Sequence, residues 1–210
     1  MLFRSIFVGY SDVTSLLTYV CDAASLVTFH GPMVAKDFSH PGGVDFQSWL
    51  AALSGTPSWV IEPNADVKPL AAGSAEGILY GGCLSMLAAS LGTPYEINTA
   101  NTILFIEDIA AKPYQIDRML MQLKLAGKFD RVRGIIFGEM LDCAQTQNQS
   151  YTLEEVILRV VGDLRIPIAY GLRSGHVSGS NITLPFGVNA RLEIGTGISI
   201  QILEAATSAE

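Results

Sequence analysis

Gly9-Tyr10-Ser11-Asp12 sets a serine between a short apolar run, Ile6-Phe7-Val8, and a segment in which Val13, Leu16, Leu17 and Val20 recur at helical spacing. A serine on such a turn can act as a nucleophile, because the turn exposes Oγ and the helix start offers backbone N–H groups to an oxyanion. Ser-Asp is equally a way to cap a helix, and Val13 stands where a hydrolase elbow has its second glycine. A serine nucleophile needs a base, and the chain has three histidines. His40, beside Pro41-Gly42-Gly43, reads as a solvated loop residue. His30 follows the apolar run Leu26 to Phe29, and His176 lies in the small-residue loop Ser174-Gly175-His176, so both hold strand-end positions that suit an active site. Either also reads as a structural histidine bonded to a loop carbonyl. A carboxylate can orient an imidazole base, and Glu107 with Asp108 closes the strongly apolar run Ile103-Leu104-Phe105-Ile106. A solvent-facing or helix-capping acid is the other reading of Glu107, and Glu76, in Ala75-Glu76-Gly77, competes for the same role.

The elements that must position these residues alternate between strand and helix. Ile6 to Val8 and Leu26 to Phe29 read as strands flanking a helix, and a short helix is expected around Asp45 to Leu53, closed by Gly55. Ser54 to Ser74 holds three prolines and alternates weakly, which places a domain crossing near residues 55 to 70. Ile103 to Ile106, Gly134 to Phe137 and Ile166 to Tyr170 read as buried strands. Between them, Pro113 opens a helix with Ile116, Met119, Leu120 and Leu123 on one face, and Thr152-Leu153-Glu154-Glu155 is a capping box opening a helix through Leu164. Asn181 to Leu184, Val188 to Ile194 and Ile198 to Leu203 are β-rich runs that suggest an antiparallel finish, and residues 205 to 210 are expected to fray.

Composition closes off several classes of function. The chain has 210 residues, 49% of them hydrophobic and 16% charged, which excludes disorder and permits one large or two small domains. Thirteen Lys and Arg against twenty Asp and Glu give a net charge of −7, with no footprint for nucleic acid or anionic lipid. Cys21, Cys83 and Cys143 are widely separated and follow no metal-ligand spacing, as in a reducing compartment, so a cytoplasmic protein is expected. Gly77 to Tyr95 nears membrane-span length but carries glycines, serines and Pro94, and reads as a buried globular segment.

Several blocks taken together resemble the LD-carboxypeptidase family of serine peptidases. They are Gly9-Tyr10-Ser11-Asp12 with Thr14, Thr28-Phe29-His30-Gly31-Pro32-Met33, Ala75-Glu76-Gly77-Ile78-Leu79-Tyr80-Gly81-Gly82 and Gly92-Thr93-Pro94. Ile103 to Asp108, Pro113-Tyr114 with Asp117 to Leu120, Gly175-His176 and Leu184-Pro185-Phe186-Gly187 follow in the family's order. The resemblance implies Ser11 as nucleophile, His176 as base and Glu107 as the acid that orients it, with the Asp12 backbone N–H as an oxyanion donor. It implies an α/β fold: the remainder of an N-terminal Rossmann-like α/β domain over residues 1–60, a C-terminal mixed α/β domain with a β-rich end over 61–205, and a disordered tail from 206 to 210.

The implied activity is cleavage of an L,D amide bond in a murein tetrapeptide, releasing D-alanine during cell-wall recycling, with no metal or organic cofactor and no nucleic-acid or membrane partner. Alternatives are a microcin-immunity-type peptidase acting on aminoacyl-nucleotide mimics, which an aromatic nucleotide platform would distinguish, Trp49 and Trp59 being the only tryptophans and their spacing placing neither at the site, and a truncated, non-catalytic remnant. Two departures from the family pattern stand out. Its opening α/β units, with an Arg-Gly-Gly-Tyr-Gly-like loop, have no counterpart before Met1, and Cys83 takes the place of the family's Asn. Loss of one oxyanion donor from that loop is expected to cost ~3 to 4 kcal/mol. A strand at Ile6 to Val8 without its neighbours is expected to promote self-association, for example as a homodimer.

Overall fold

Residues 5–143 and 150–208 are described in the computed structural model. Strand β1 (Val8–Gly9) passes through a single 3-10 turn, Ser11–Val13, into α1 (Thr14–Ala24), and β2 (Thr28–His30) returns parallel to β1. Helix α2 (Phe46–Leu53) starts at Asp45, whose carboxylate accepts the Ser48 N–H at 2.8 Å. Then come β3 (Trp59–Ile61), β4 (Lys68–Ala71), β5 (Gly73–Cys83), α3 (Leu84–Ala89), β6 (Thr102–Glu107), α4 (Pro113–Leu125) and β7 (Gly134–Gly138). Helix α5 (Leu153–Val161), β8 (Ile168–Leu172), β9 (Leu184–Phe186), β10 (Asn189–Ile194) and β11 (Ile198–Ile202) complete the chain.

The strands form two sheets. An eight-stranded sheet has the order β3-β11-β10-β5-β6-β7-β8-β4, parallel from β5 to β8 and antiparallel on both flanks. A three-stranded sheet, β1-β2-β9, joins the first two strands to one from the last third of the chain. The stretch from 54 to 74, expected as a domain crossing, runs from one edge of the large sheet to the other, since β3 borders β11 and β4 borders β8.

Alternation along β6 assigns its faces. Leu104 and Ile106 pack with α3, α4 and α5, whereas Ile103 and Phe105 face the opposite core with Leu184 and Phe186 of β9. Period two therefore carries Glu107 onto the face turned away from the helices and toward the small sheet. Sheet β5 to β8 is covered on both faces, which is why β6 and β7 read in sequence as unbroken apolar runs. Strand β5 shows no such signal, because four of its eleven residues are glycine. At Gly81, with φ +141°, a Cβ would lie 1.9 Å from the Phe105 carbonyl oxygen.

Short of its end, the tail is held: Ala206 packs on the sheet core and the Thr207 hydroxyl donates to Leu53 O at 3.1 Å. Residues 209 and 210, part of the segment expected to be disordered, lie outside the described residues. Among the described residues no helix is long and apolar enough to cross a membrane.

Candidate active site

Ser11 holds a left-handed backbone conformation, φ 61°, at the head of the 3-10 turn. For a residue with a Cβ this is a strained state that tertiary packing must enforce. Three contacts do so. Gly9 leaves room for Val13, since a Cβ at Gly9 would stand 3.0 Å from Val13 Cγ1. The first residue of α1 is clamped to the end of β5, where Thr14 Oγ1 accepts the Cys83 N–H at 3.1 Å and Gly82 makes space for the threonine. Tyr10, fully buried, lays its ring edge-on to the His176 ring at 5.0 Å and 81°. Ser11 thus sits next to a residue that touches His176, while its own Oγ makes no hydrogen bond among the described residues. The first N–H groups of a helical segment have no intrahelical partner, which leaves the Asp12 N–H the chemistry of an oxyanion donor.

Glu107 ends β6 with no exposed surface. Its Oε2 accepts both the Nδ1–H of His176 at 2.8 Å and the backbone N–H of His176 at 3.1 Å. Burial opposes ionisation, but the His176 donors and then the facing His30 ring outweigh it and hold the carboxyl down at about 2. The approach demands glycine at two places: a Cβ at Gly175, φ +90°, would lie 2.7 Å from Glu107 Cδ, and one at Gly138 would lie 2.6 Å from Glu107 Cβ. Gly175 is itself gripped by the buried amide of Asn181, which accepts its N–H and donates to its C=O, each at 3.0 Å. His176 is therefore presented by a fixed loop after β8, and both residues lie at the carboxyl ends of parallel strands, where α/β sheets place their sites.

The rival residues fall elsewhere. Glu76 is exposed on β5 and paired with Arg191 at 2.6 Å. Asp108 binds Ser85 through N–H and Oγ at 2.9 and 2.7 Å, capping α3. His40 is exposed, bonded locally to Lys36 O and Ser39. His30 is completely buried, with Nδ1 3.0 Å from Ser174 Oγ and Nε2 3.8 Å from Glu107 Oε1. Cys83 pairs in register with Glu107, and its thiol is pushed up to about 12 by burial and then by the adjoining carboxylates. Tyr10, Ser174 and Asn181 are the parts of the site that the sequence reading missed. Tyr10 stands inside the turn motif Gly9 to Asp12, whereas nothing local marks Asn181.

Comparison with known proteins bears on this geometry. Residues 76–192 match the family model for the LD-carboxypeptidase C-terminal domain. A probable murein peptide carboxypeptidase of Bacillus subtilis is 39% identical over 208 residues, covering 97% of this chain and 64% of the relative. The microcin C7 self-immunity protein MccF of Escherichia coli is 31% identical over 236 residues, covering 98% and 67%. Among solved structures, MccF in complex with glutamyl sulfamoyl guanosine has a TM-score of 0.85 at 27% identity, covering 98% of this chain and 69% of that one. A muramoyltetrapeptide carboxypeptidase from Oxalobacter formigenes has a TM-score of 0.80 at 29% identity, covering 96% and 70%. The chain thus spans less than two thirds of the length of the Bacillus relative, and it shares its mixed α/β fold with both solved neighbours.

Proposed function

The chain belongs to the LD-carboxypeptidase family, and from that premise we propose that it is a serine carboxypeptidase that cleaves an L,D amide bond and releases D-alanine from a murein tetrapeptide. The observation that carries this reading is the fully buried Glu107 carboxylate holding the Nδ1–H of His176 at 2.8 Å. That bond fixes the tautomer in which Nε2 of His176 is free to accept a proton. In the proposed cycle, Nε2 takes the proton of Ser11 Oγ as the oxygen attacks the scissile carbonyl carbon. The oxyanion that forms is met by the Asp12 N–H at the start of the helical turn. His176 then returns the proton to the departing amine of D-alanine, leaving an acyl-enzyme on Ser11; a water deprotonated by His176 attacks that ester, and the proton passes from His176 to Ser11 Oγ as the acyl C–O bond breaks. Glu107 stays ionised throughout and stabilises the transient imidazolium.

A second acyl substrate, an aminoacyl-nucleotide mimic, would use the same three residues, and the likeness to MccF bound to glutamyl sulfamoyl guanosine favours testing it. The aromatic residues offer it little. Trp59 lies on edge strand β3, four strands from β6, or ~19 Å at the usual strand spacing, and Trp49 on α2 packs edge-on against Phe38 at 5.1 Å. The deciding experiment incubates the chain and its Ser11→Ala variant with a murein tetrapeptide and, separately, with an aminoacyl sulfamoyl nucleoside. Serine-dependent D-alanine release is the expected result. Turnover of the nucleoside alone would transfer the assignment to the second substrate, and silence on both would overturn the peptidase reading.

A further inference from the structure

The Glu107 carboxylate touches two imidazoles, and the proposed mechanism uses only one. Both His176 donors fall on Oε2, leaving Oε1 buried with no hydrogen-bond partner within reach. His30 Nε2 stands 3.8 Å from it, also buried and without a hydrogen-bond partner. Two unpaired polar atoms facing each other in a dry core point to an interaction that is loose in the resting chain, since a bond needs ~3.2 Å or less and catalytic bonds tighten as charge develops. The His30 ring has little freedom. Phe105 and Phe186 flank it with centroids at 5.0 and 5.4 Å, Tyr10 lies at 6.2 Å, and Gly175 closes the remaining side. On its far edge Nδ1 meets the Ser174 hydroxyl at 3.0 Å, and Ser174 has no exposed surface.

We propose that His30 is a positioning residue for the triad: a neutral imidazole whose Nε2–H faces Glu107 Oε1 and whose Nδ1 accepts the Ser174 hydroxyl proton. A carboxylate oxygen opposite Nε2 calls for a proton on that nitrogen, and the hydroxyl opposite Nδ1 can supply the complementary donor. Ser174 thereby sets the tautomer of His30. His30 supplies the second carboxylate oxygen with its donor, and the carboxyl plane is kept from turning Oε2 off His176. The inference rests on the proposed triad for its kinetic consequence and on the buried geometry alone for its tautomer.

The test has two parts. Nitrogen-15 histidine spectra of the unmodified chain, with His30 identified by its loss in His30→Gln, are expected to show a protonated Nε2 and an unprotonated Nδ1. A protonated Nδ1, in either the other tautomer or an imidazolium, would overturn the proposal without need of any activity. In D-alanine release, His30→Leu is expected to lower kcat ~10- to 100-fold, the scale of one lost hydrogen bond to a buried charge, with KM within about twofold. His30→Gln, whose amide N–H reaches the place of Nε2, is expected to recover most of that loss. Leucine as fast as wild type, or glutamine as slow as leucine, would refute the role. If His30→Leu fails to fold, the spectrum of the unmodified chain decides. A chain that folds with the expected tautomer but releases no D-alanine would sink the peptidase reading and leave the His30 geometry standing.

Discussion

Replacing Glu107 by glutamine keeps the outline of the side chain and removes its charge, which isolates what that charge does. At the 2.8 Å contact with His176 Nδ1, the centres of an imidazolium and a carboxylate lie ~4 Å apart, and at an effective dielectric of ~20 their attraction is ~4 kcal/mol. That attraction is absent while His176 is neutral and present once it has taken the proton of Ser11, so its loss falls on the transition state. The expected fall in kcat is ~1000-fold, with KM within about twofold because Glu107 does not face substrate. The same substitution predicts a change in acid stability. Burial works against ionised Glu107, yet its hydrogen-bond donors depress it from an ordinary value of 4.5 to about 2. A depressed carboxyl stabilises the fold above its unfolded value and loses that stabilisation as pH falls through the folded one. At ~1.4 kcal/mol per pH unit, wild type gains ~3 kcal/mol at neutral pH, beginning to lose it near pH 4.5 and retaining almost none below 2. The stability gap between wild type and Glu107→Gln in urea titrations should therefore close between those limits. A gap independent of pH, or a variant within tenfold of wild-type kcat, would refute the argument that a buried, ionised Glu107 orients the base.

Ser11→Gly removes the nucleophile and also the left-handed strain at φ 61°. Strain of ~1 to 2 kcal/mol, partly cancelled by the entropy of glycine, predicts a silent variant equal in stability or up to ~1 kcal/mol better; clear destabilisation would show that the hydroxyl itself holds the turn. Burial first, then nearby carboxylates, pushes Cys21 up to about 11 and Cys83 up to about 12, so folded protein should resist iodoacetamide at mildly alkaline pH and label fully in guanidinium. Rapid labelling of Cys83 in the folded chain would place it in contact with solvent. Among the described residues β1 pairs on one side only, and Ile6 is 54% exposed beside it. Concentration-dependent association in sedimentation, weakened by Ile6→Lys, is expected; a single monomer across the range would show that this edge is not adhesive.

Local sequence determined those elements whose physics is local. Strands β6 and β7 lie in a sheet covered on both faces and so appear as unbroken apolar runs, and α4 and α5 carry their starts in Pro113 and in the Thr152 to Glu155 capping box. The turn at Ser11 was visible as a change from an apolar run to helical spacing. Its left-handed backbone was not, because packing of Gly9 on Val13 and of Thr14 on Gly82 and Cys83 enforces it. Strand β5 stayed hidden for a related reason: its glycines are there because the Phe105 backbone and Thr14 press against them, and that demand comes from partners remote in sequence. Residue types alone left Glu107 level with Glu76 and His176 level with His30. Burial separated them, since the alternation of β6 delivers Glu107 to the dry face toward the small sheet while Glu76 is exposed with Arg191. The two histidines end up on opposite oxygens of one carboxylate because β2 and the loop after β8 meet at the end of β6. A carboxylate acquires its role from the donors and the dielectric around it, and those exist only once distant strands have packed.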